Sequence, residues 1–202
     1  MKMIAAVLLI LIVFLFKFNS KKNTDKLKNT EIVIEKNDSI KSNNIQKLIK
    51  LTLNNNDAKK LNIFLSKLSK EKNVDFSNEG EMLVSEELID YIYNEHIYFF
   101  GYYDWKARSS NVEDYIRKSL KKNFNKEFGN KNVCDLNELS SIDLVYKLYG
   151  VELDKMGYTL CSIDTESDSY TILLIEKENY EKFKNAVNNL TDFTPKHYTD
   201  QW

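Results

Sequence analysis

The feature that most constrains the fold of this chain is a pair of strand-forming runs in its last third. The first run, YTLCSID, extends from Tyr158 to Asp164, and the second, SYTILLIE, extends from Ser169 to Glu176. A short polar turn separates them, so the two runs predict a β-hairpin. Because an isolated hairpin is at best marginally stable in water, the rest of the chain must cover its apolar side chains.

Elsewhere in the chain, apolar residues recur three or four positions apart, a spacing that predicts amphipathic helices. The predicted inward positions are Ile45, Leu48 and Ile49, then Leu61, Phe64, Leu65 and Leu68, then Val112, Tyr115, Ile116 and Leu120, then Ile142, Val145, Tyr146 and Tyr149, and finally Tyr180, Phe183, Val187 and Leu190. A further helix is predicted to start at Ser85. Ser110 and Glu113 have the spacing of a capping box, and Gly150 is expected to end the helix before it.

A third strand is predicted in the ring-rich run HIYFFGYYDW, from His96 to Trp105. Together with the hairpin and the helices, it defines the expected fold class. Residues 45–202 are expected to form an α+β domain, in which helices pack on one face of a small antiparallel sheet.

The N-terminal segment is apolar without interruption from Met3 to Phe16, between Lys2 and Lys17. We expect residues 1–18 to be a transmembrane or signal-anchor segment, with a cleaved signal peptide as the alternative. Residues 19–44 are rich in Lys, Asn and Ser and are expected to be a polar tether. The lysines after the apolar run favour a single-pass membrane protein with its domain on the cytoplasmic face, whereas anchors of the signal type favour export.

The charge of the chain argues against nucleic acid as a partner. It has 29 basic and 30 acidic residues, a net charge of −1, so no overall field attracts a polyanion. The basic residues Arg117, Lys118, Lys121 and Lys122 are expected to form a solvated helix face. The two histidines, His96 and His197, have no metal-ligand spacing, and Cys134 and Cys161 are expected to be unpaired thiols, with one disulfide as the alternative. No cofactor is expected.

The turn of the hairpin is unusually acidic. Asp164, Glu166 and Asp168 follow the 1, 3, 5 spacing of a calcium loop. Ser169 stands where such a loop needs glycine, and Ile175 where it needs glutamate. Asp, Thr and Ser are also ordinary turn residues, so we interpret the segment as a hairpin turn whose acids line a polar patch. If the strand ending in Asp104, Trp105 and Lys106 is a sheet neighbour, its polar residues lie close to this turn.

These two motifs resemble a bacterial family of domains of unknown function. The motif D-W-K corresponds to Asp104, Trp105 and Lys106, and the motif D-T-x-S-D-x-Y runs from Asp164 to Tyr170. The resemblance spans Leu88 to Leu190 and implies that Asp104, Lys106, Asp164 and Asp168 lie together. It implies no activity.

Two hypotheses of function follow. The first is a non-catalytic, membrane-tethered protein-interaction domain of immunity or accessory type, with an unidentified protein partner. The alternative is a metal- or small-ligand-binding domain, hydrolytic in one form, that uses the acidic cluster. No catalytic residue is assigned, because the motifs of nucleophilic, phosphate-binding and dinucleotide-binding enzymes are absent from the sequence. The candidate ligand- or partner-binding residues are Asp104, Trp105, Lys106, Asp164, Ser167, Asp168 and Tyr170.

Overall fold

The structure is a computed structural model that describes residues 44–72, 83–104, 106–128, 141–166, 168–190 and 192–200. The predicted membrane segment and almost all of the predicted tether lie outside these residues. Among the helices within them, none is long and apolar enough to cross a bilayer.

Four strands form one antiparallel sheet within the described part of the chain. They are β1 (Gly101–Asp104), β2 (Tyr158–Asp164), β3 (Ser169–Glu176) and β4 (Thr194–His197), in the order β1-β3-β2-β4. The predicted hairpin is therefore confirmed as the central pair of the sheet, with Cys161 opposite Leu173. Of the described residues in the strand predicted from His96 to Trp105, only Gly101–Asp104 are observed as a strand. β4 was not predicted from the sequence. Because β4 is a short edge strand, it tolerates Pro195, which has no N–H to donate to a ladder.

Six helices surround the sheet in the same described ranges. They are α1 (Asn44–Thr52), α2 (Asn55–Lys72), α3 (Glu86–Asn94), α4 (Ser109–Phe124), α5 (Ile142–Lys155) and α6 (Tyr180–Asn188), the last preceded by a 3₁₀ turn at Lys177–Asn179. The side chains of Ser85 and Ser141 cap α3 and α5 by accepting from the backbone N–H groups of Leu88 and Leu144. The predicted capping box does not form, because α4 begins at Ser109 with Arg108 as its N-cap, so Ser110 lies inside the helix.

The helices cover both faces of the sheet, and the expectation that they pack on one face is wrong. Alternate residues of the central strands face opposite sides. Cys161, Ile163, Leu173 and Ile175 join a core with α1, α2, α3 and α6. The residues Leu160, Ile172 and Leu174 join a second core with α4 and α5. Physically, an almost continuous apolar run such as that of β3 needs cover on both sides, whereas a strand covered on one side alternates apolar and polar residues.

Cys161 is a free, fully buried thiol in the first of these cores. Burial raises its pKa well above the usual range of a cysteine, so this thiol is protonated and unreactive at neutral pH. Cys134 lies outside the described residues.

Gly150 was expected to end α5, but it lies inside this helix. The ring of Tyr198 packs directly against this glycine, and a Cβ at position 150 would lie 2.3 Å from Tyr198 Cγ. The glycine that the chain uses to leave the helix is Gly157, whose φ of +85° is left-handed. Gly150 therefore serves close packing between α5 and the segment that follows β4.

We predict that Gly150→Ala destabilises the domain by about 1–3 kcal/mol, because the added methyl overlaps the Tyr198 ring. In an open helix position the same change stabilises by roughly 0.5–1 kcal/mol. The free energy of unfolding, measured with urea, shows directly whether the substitution destabilises or stabilises the domain. In a Tyr198→Ala background the penalty should vanish; a penalty that persists there would contradict this account of Gly150.

Candidate functional site

The sequence-predicted acidic residues converge at one end of the sheet. β1 pairs with β3, and Asp104 at the end of β1 lies opposite Ser169 at the start of β3. Asp164 ends β2 and lies opposite Thr194 of β4. Asp168 immediately precedes β3. Of the other candidate residues, Trp105 and Ser167 lie outside the described residues.

Asp164 is engaged within the fold. Its Oδ2 lies 2.9 Å from Lys196 Nζ, and its Oδ1 accepts a hydrogen bond of 3.0 Å from the backbone N–H of Glu166. The hydrogen bond from Lys196 holds the pKa of Asp164 below its usual range. Glu166 has a φ of 55°, in the left-handed region that a tight turn requires. Asp164 thus stabilises the hairpin turn and anchors β4 to β2.

Asp104 forms a similar local turn. Its Oδ1 accepts from the backbone N–H of Lys106 at 2.8 Å, and its carbonyl oxygen accepts from the N–H of Ala107, also at 2.8 Å. Asp168 is exposed at the turn between β2 and β3. The described part of the chain contains no group of three or more His, Cys, Asp or Glu side chains placed to hold a metal ion.

Tyr170 lies beside this end of the sheet and is half-buried. It is opposite Tyr103 of β1 and packs against the core formed with α4 and α5. Burial, with a contribution from Asp143, raises its pKa, so its hydroxyl stays neutral at physiological pH. Tyr170 therefore contributes mainly to packing in this arrangement.

A concave surface lies along the outer edge of β1, on the side away from β3. This cleft has a volume of about 450 Å³ and lies between α3, β1 with its preceding segment, and α4. Five tyrosines line it, and we call it the tyrosine cleft: Tyr93, Tyr98, Tyr102, Tyr103 and Tyr115. The ring-rich run is visible in the sequence, but the sequence does not show where its rings lie. The signal that could have located them is the run from Tyr98 to Tyr103 together with Tyr93, which lies in the last turn of the preceding helix.

The inner tyrosines of the cleft are fixed by packing and hydrogen bonds. The ring of Tyr103 lies over Gly101, where a Cβ would be 2.5 Å from Tyr103 Cε2. Its hydroxyl donates to the carbonyl oxygen of Asn111 at 3.1 Å, and that of Tyr115 donates to the carbonyl oxygen of Phe99 at 3.4 Å. Burial raises the pKa of both phenols. These two side chains form a rigid, uncharged inner wall.

The outer tyrosines are open to solvent. Tyr93 is 79% exposed and Tyr102 is 36% exposed, the first on α3 and the second on β1. On the α4 side of the cleft, an exposed ion pair joins Lys118 to Asp114 at 2.6 Å. The cleft therefore offers a rigid inner wall, an accessible aromatic rim and one exposed ion pair.

A polar cluster fixes the helices around the cleft. Lys122 Nζ lies 2.7 Å from the buried carboxylate of Asp57 on α2 and donates to the carbonyl oxygen of His96 at 2.7 Å. Asn123 Nδ2 donates to the carbonyl oxygen of Tyr98 at 2.9 Å. These contacts join α2 and α4 to the segment that leads into β1.

The basic face of α4 is neutralised by carboxylates. Each of its four basic residues makes an ion pair, with partners Glu113, Asp114, Glu127 and Asp57 for Arg117, Lys118, Lys121 and Lys122 respectively. Arg117 also lies over the rings of Phe128 and Tyr149, at 5.4 and 5.6 Å from their centroids. This helix face therefore presents little net positive charge.

The fold and its cleft define a three-layer α+β domain with one accessible sheet edge beside a tyrosine-lined recess. The chain belongs to a family known as a domain of unknown function, DUF6630, whose model matches residues 44–191. The match begins with α1 and extends beyond α6, and so covers more of the chain than the sequence resemblance suggested. No curated protein and no solved structure shows significant similarity to the chain.

We predict that Asp164→Asn destabilises the domain by about 0.5–1 kcal/mol at pH 7, a small effect because both partners of its ion pair are partly exposed. The folded-state pKa of Asp164 is lowered, so its stabilisation is present above the unfolded value of about 4 and is lost as pH falls through the folded value. The difference between wild type and variant should therefore shrink in acid.

The measurement for Asp164 is urea unfolding from pH 7 down to about pH 3, the range that spans an ordinary aspartate titration. Asp168→Asn is the matched control, because Asp168 is exposed and makes no ion pair within the described residues. An equal loss of stability in the two variants, or a difference that does not change with pH, would contradict a structural role for the Asp164–Lys196 pair.

Proposed function

We propose that this chain is a non-catalytic protein-interaction domain of immunity or accessory type, and that its partner binds at the tyrosine cleft. The observation that carries the proposal is the position of this cleft along the outer edge of β1. Tyrosine is enriched at protein interfaces because its ring buries a large area while its hydroxyl retains a hydrogen bond.

The edge strand gives this cleft a second means of recognition. In an antiparallel pair, alternate residues direct their backbone N–H and C=O groups away from the partner strand. Within the described residues, β1 pairs only with β3, so the outward groups of Gly101–Tyr103 lie on the cleft side. A partner that contributes an extended segment would pair with them while its side chains contact the tyrosines.

The rigidity of the inner wall supports binding rather than catalysis. Tyr103 and Tyr115 are held by packing and by backbone hydrogen bonds, so little side-chain entropy is lost when a partner binds. The metal- or ligand-binding alternative gains no comparable support, because the described carboxylates of Asp104 and Asp164 are engaged in local turns.

We also propose that the domain is held at the cell membrane by residues 1–18, through the polar tether of residues 19–44. The apolar run from Met3 to Phe16 and the lysines that follow it support this arrangement. The same lysines favour the cytoplasmic face.

The cleft is tested by placing a photo-crosslinking amino acid at position 102 of the full chain in its native host. We expect one near-stoichiometric crosslinked protein, and we expect Tyr93→Ser to reduce its yield about tenfold or more, as for an interface hot spot. A crosslinker at position 63 is the matched control, because Ile63 is an exposed apolar residue, at 61%, that does not line the cleft. The same protein recovered from position 63, or an unchanged yield in the Tyr93→Ser variant, would overturn the proposal.

Membrane attachment is tested by fractionating the same cells. We expect the full chain in the membrane fraction after washing with high salt, because an apolar segment is retained when electrostatic attachment is screened. Deletion of residues 1–18 should release the chain into the soluble fraction. A full chain that is soluble, or a deleted chain that stays with the membrane, would contradict the anchor.

A further inference from the structure

A second recess lies between α1 and α6 and shares no lining residue with the tyrosine cleft. Its volume is about 380 Å³, its apolar floor contains Leu51 and Ala186, and its rim carries Lys47, Lys50 and Lys182. We call it the lysine groove. Two asparagines complete the lining, and none of the described acidic residues contributes to it.

The three lysines of the groove differ from those of α4 in their partners. Lys47 Nζ donates to Asn44 Oδ1 at 3.0 Å, and Lys182 Nζ donates to Asn179 Oδ1 at 2.8 Å. Both acceptors are neutral amides. Lys50 is exposed, and none of the three makes an ion pair with a described residue. Their positive charges are thus not paired with a described carboxylate, in a chain whose net charge is −1.

Three like charges around one recess create a local positive potential. A ligand that brings carboxylates to this rim lowers the repulsion between the lysines and gains their attraction. The floor adds a different requirement, because the surface that the half-buried Leu51 leaves open is covered best by an apolar side chain. The groove therefore fits a ligand with negative charges on both sides of an apolar group.

We propose that the lysine groove binds an acidic segment of a partner protein, in which Asp or Glu residues flank one apolar side chain. The carboxylates pair with Lys47, Lys50 and Lys182, and the apolar side chain packs on Leu51. The inference stands independently of the tyrosine cleft, because it rests on α1 and α6 and on charge.

A peptide segment fits this site better than a membrane surface does. Segments that bind anionic bilayers through charge carry about four to eight basic residues in a cluster. The lysine groove has only three lysines, and its apolar atoms form the floor of a recess rather than a protruding edge. A membrane surface cannot reach such a floor, whereas a single side chain can.

The test uses the full chain in mild detergent and a fluorescent octapeptide in which Glu and Asp residues flank one leucine. Fluorescence anisotropy measures its affinity. We expect a dissociation constant in the micromolar range and weaker binding as salt rises, since added ions screen exposed charges. A second octapeptide with serine in place of leucine should bind several-fold more weakly, because it leaves the apolar floor uncovered.

Two doubly substituted chains distinguish binding at the lysine groove from a general effect of the net charge of the chain. Lys50→Glu with Lys182→Glu should weaken binding about tenfold or more. The matched control is Lys59→Glu with Lys70→Glu, because both lysines are exposed on α2, lie outside the groove and make no ion pair with a described residue. This control changes the net charge equally and should retain wild-type affinity. Circular dichroism confirms that both variants are folded.

Three outcomes would overturn the proposal. The first is no binding of the acidic peptide at about 1 mM, the weak limit of a specific site. The second is an equal loss of affinity in the two double variants. The third is displacement of the peptide by inorganic phosphate or by a monomeric short-chain phosphatidylglycerol at equal concentration, which would define an anion or lipid-headgroup site instead. A result for the crosslinker at position 102 does not bear on any of them.

Discussion

The pairing of β2 with β3 is the interaction on which the rest of the structure depends. Their ladder extends from Tyr158 opposite Glu176 to Ile163 opposite Thr171 and lies at the centre of the sheet. Its side chains supply the floor of both cores, one with α1, α2, α3 and α6 and the other with α4 and α5. A register shift of one residue would exchange the two faces and leave both helical layers without a matching surface.

The polar contacts outside these cores divide the surface into regions of different character. On α4, every basic side chain meets a carboxylate, and the buried Asp57 makes one of these pairs part of the link between α2 and α4. Around the lysine groove, the ammonium groups of Lys47 and Lys182 donate to amides instead. An amide accepts a hydrogen bond from a lysine without cancelling its charge. The lysine groove therefore attracts an anionic partner, whereas the face of α4 does not, although both regions are rich in lysine.

The sequence allowed the hairpin, the inward stripes of the helices and the family resemblance to be predicted, because each is a local pattern. Local patterns do not show which elements meet across the fold. β4 was not predicted, because a four-residue edge strand that contains Pro195 has no strand signal in the sequence. Two contacts of this segment were therefore not predicted either: the ion pair of Lys196 with Asp164, and the packing of the Tyr198 ring on Gly150. The cleft tyrosines were visible as residues, but their convergence depends on the packing of α3 and α4 beside β1.

The connection between β1 and β3 has a kinetic consequence. Gly101 pairs with Ile172, with α4 and α5 lying between them in sequence, whereas β2 and β3 pair across a short turn. Closing the longer loop loses more chain entropy, so we expect the hairpin to form early in folding and β1 to join it late. By the same reasoning, β1 belongs to the part of the sheet that opens most readily in the native state. A ligand held along its outer edge would then slow exchange of amide hydrogens across that side of the sheet.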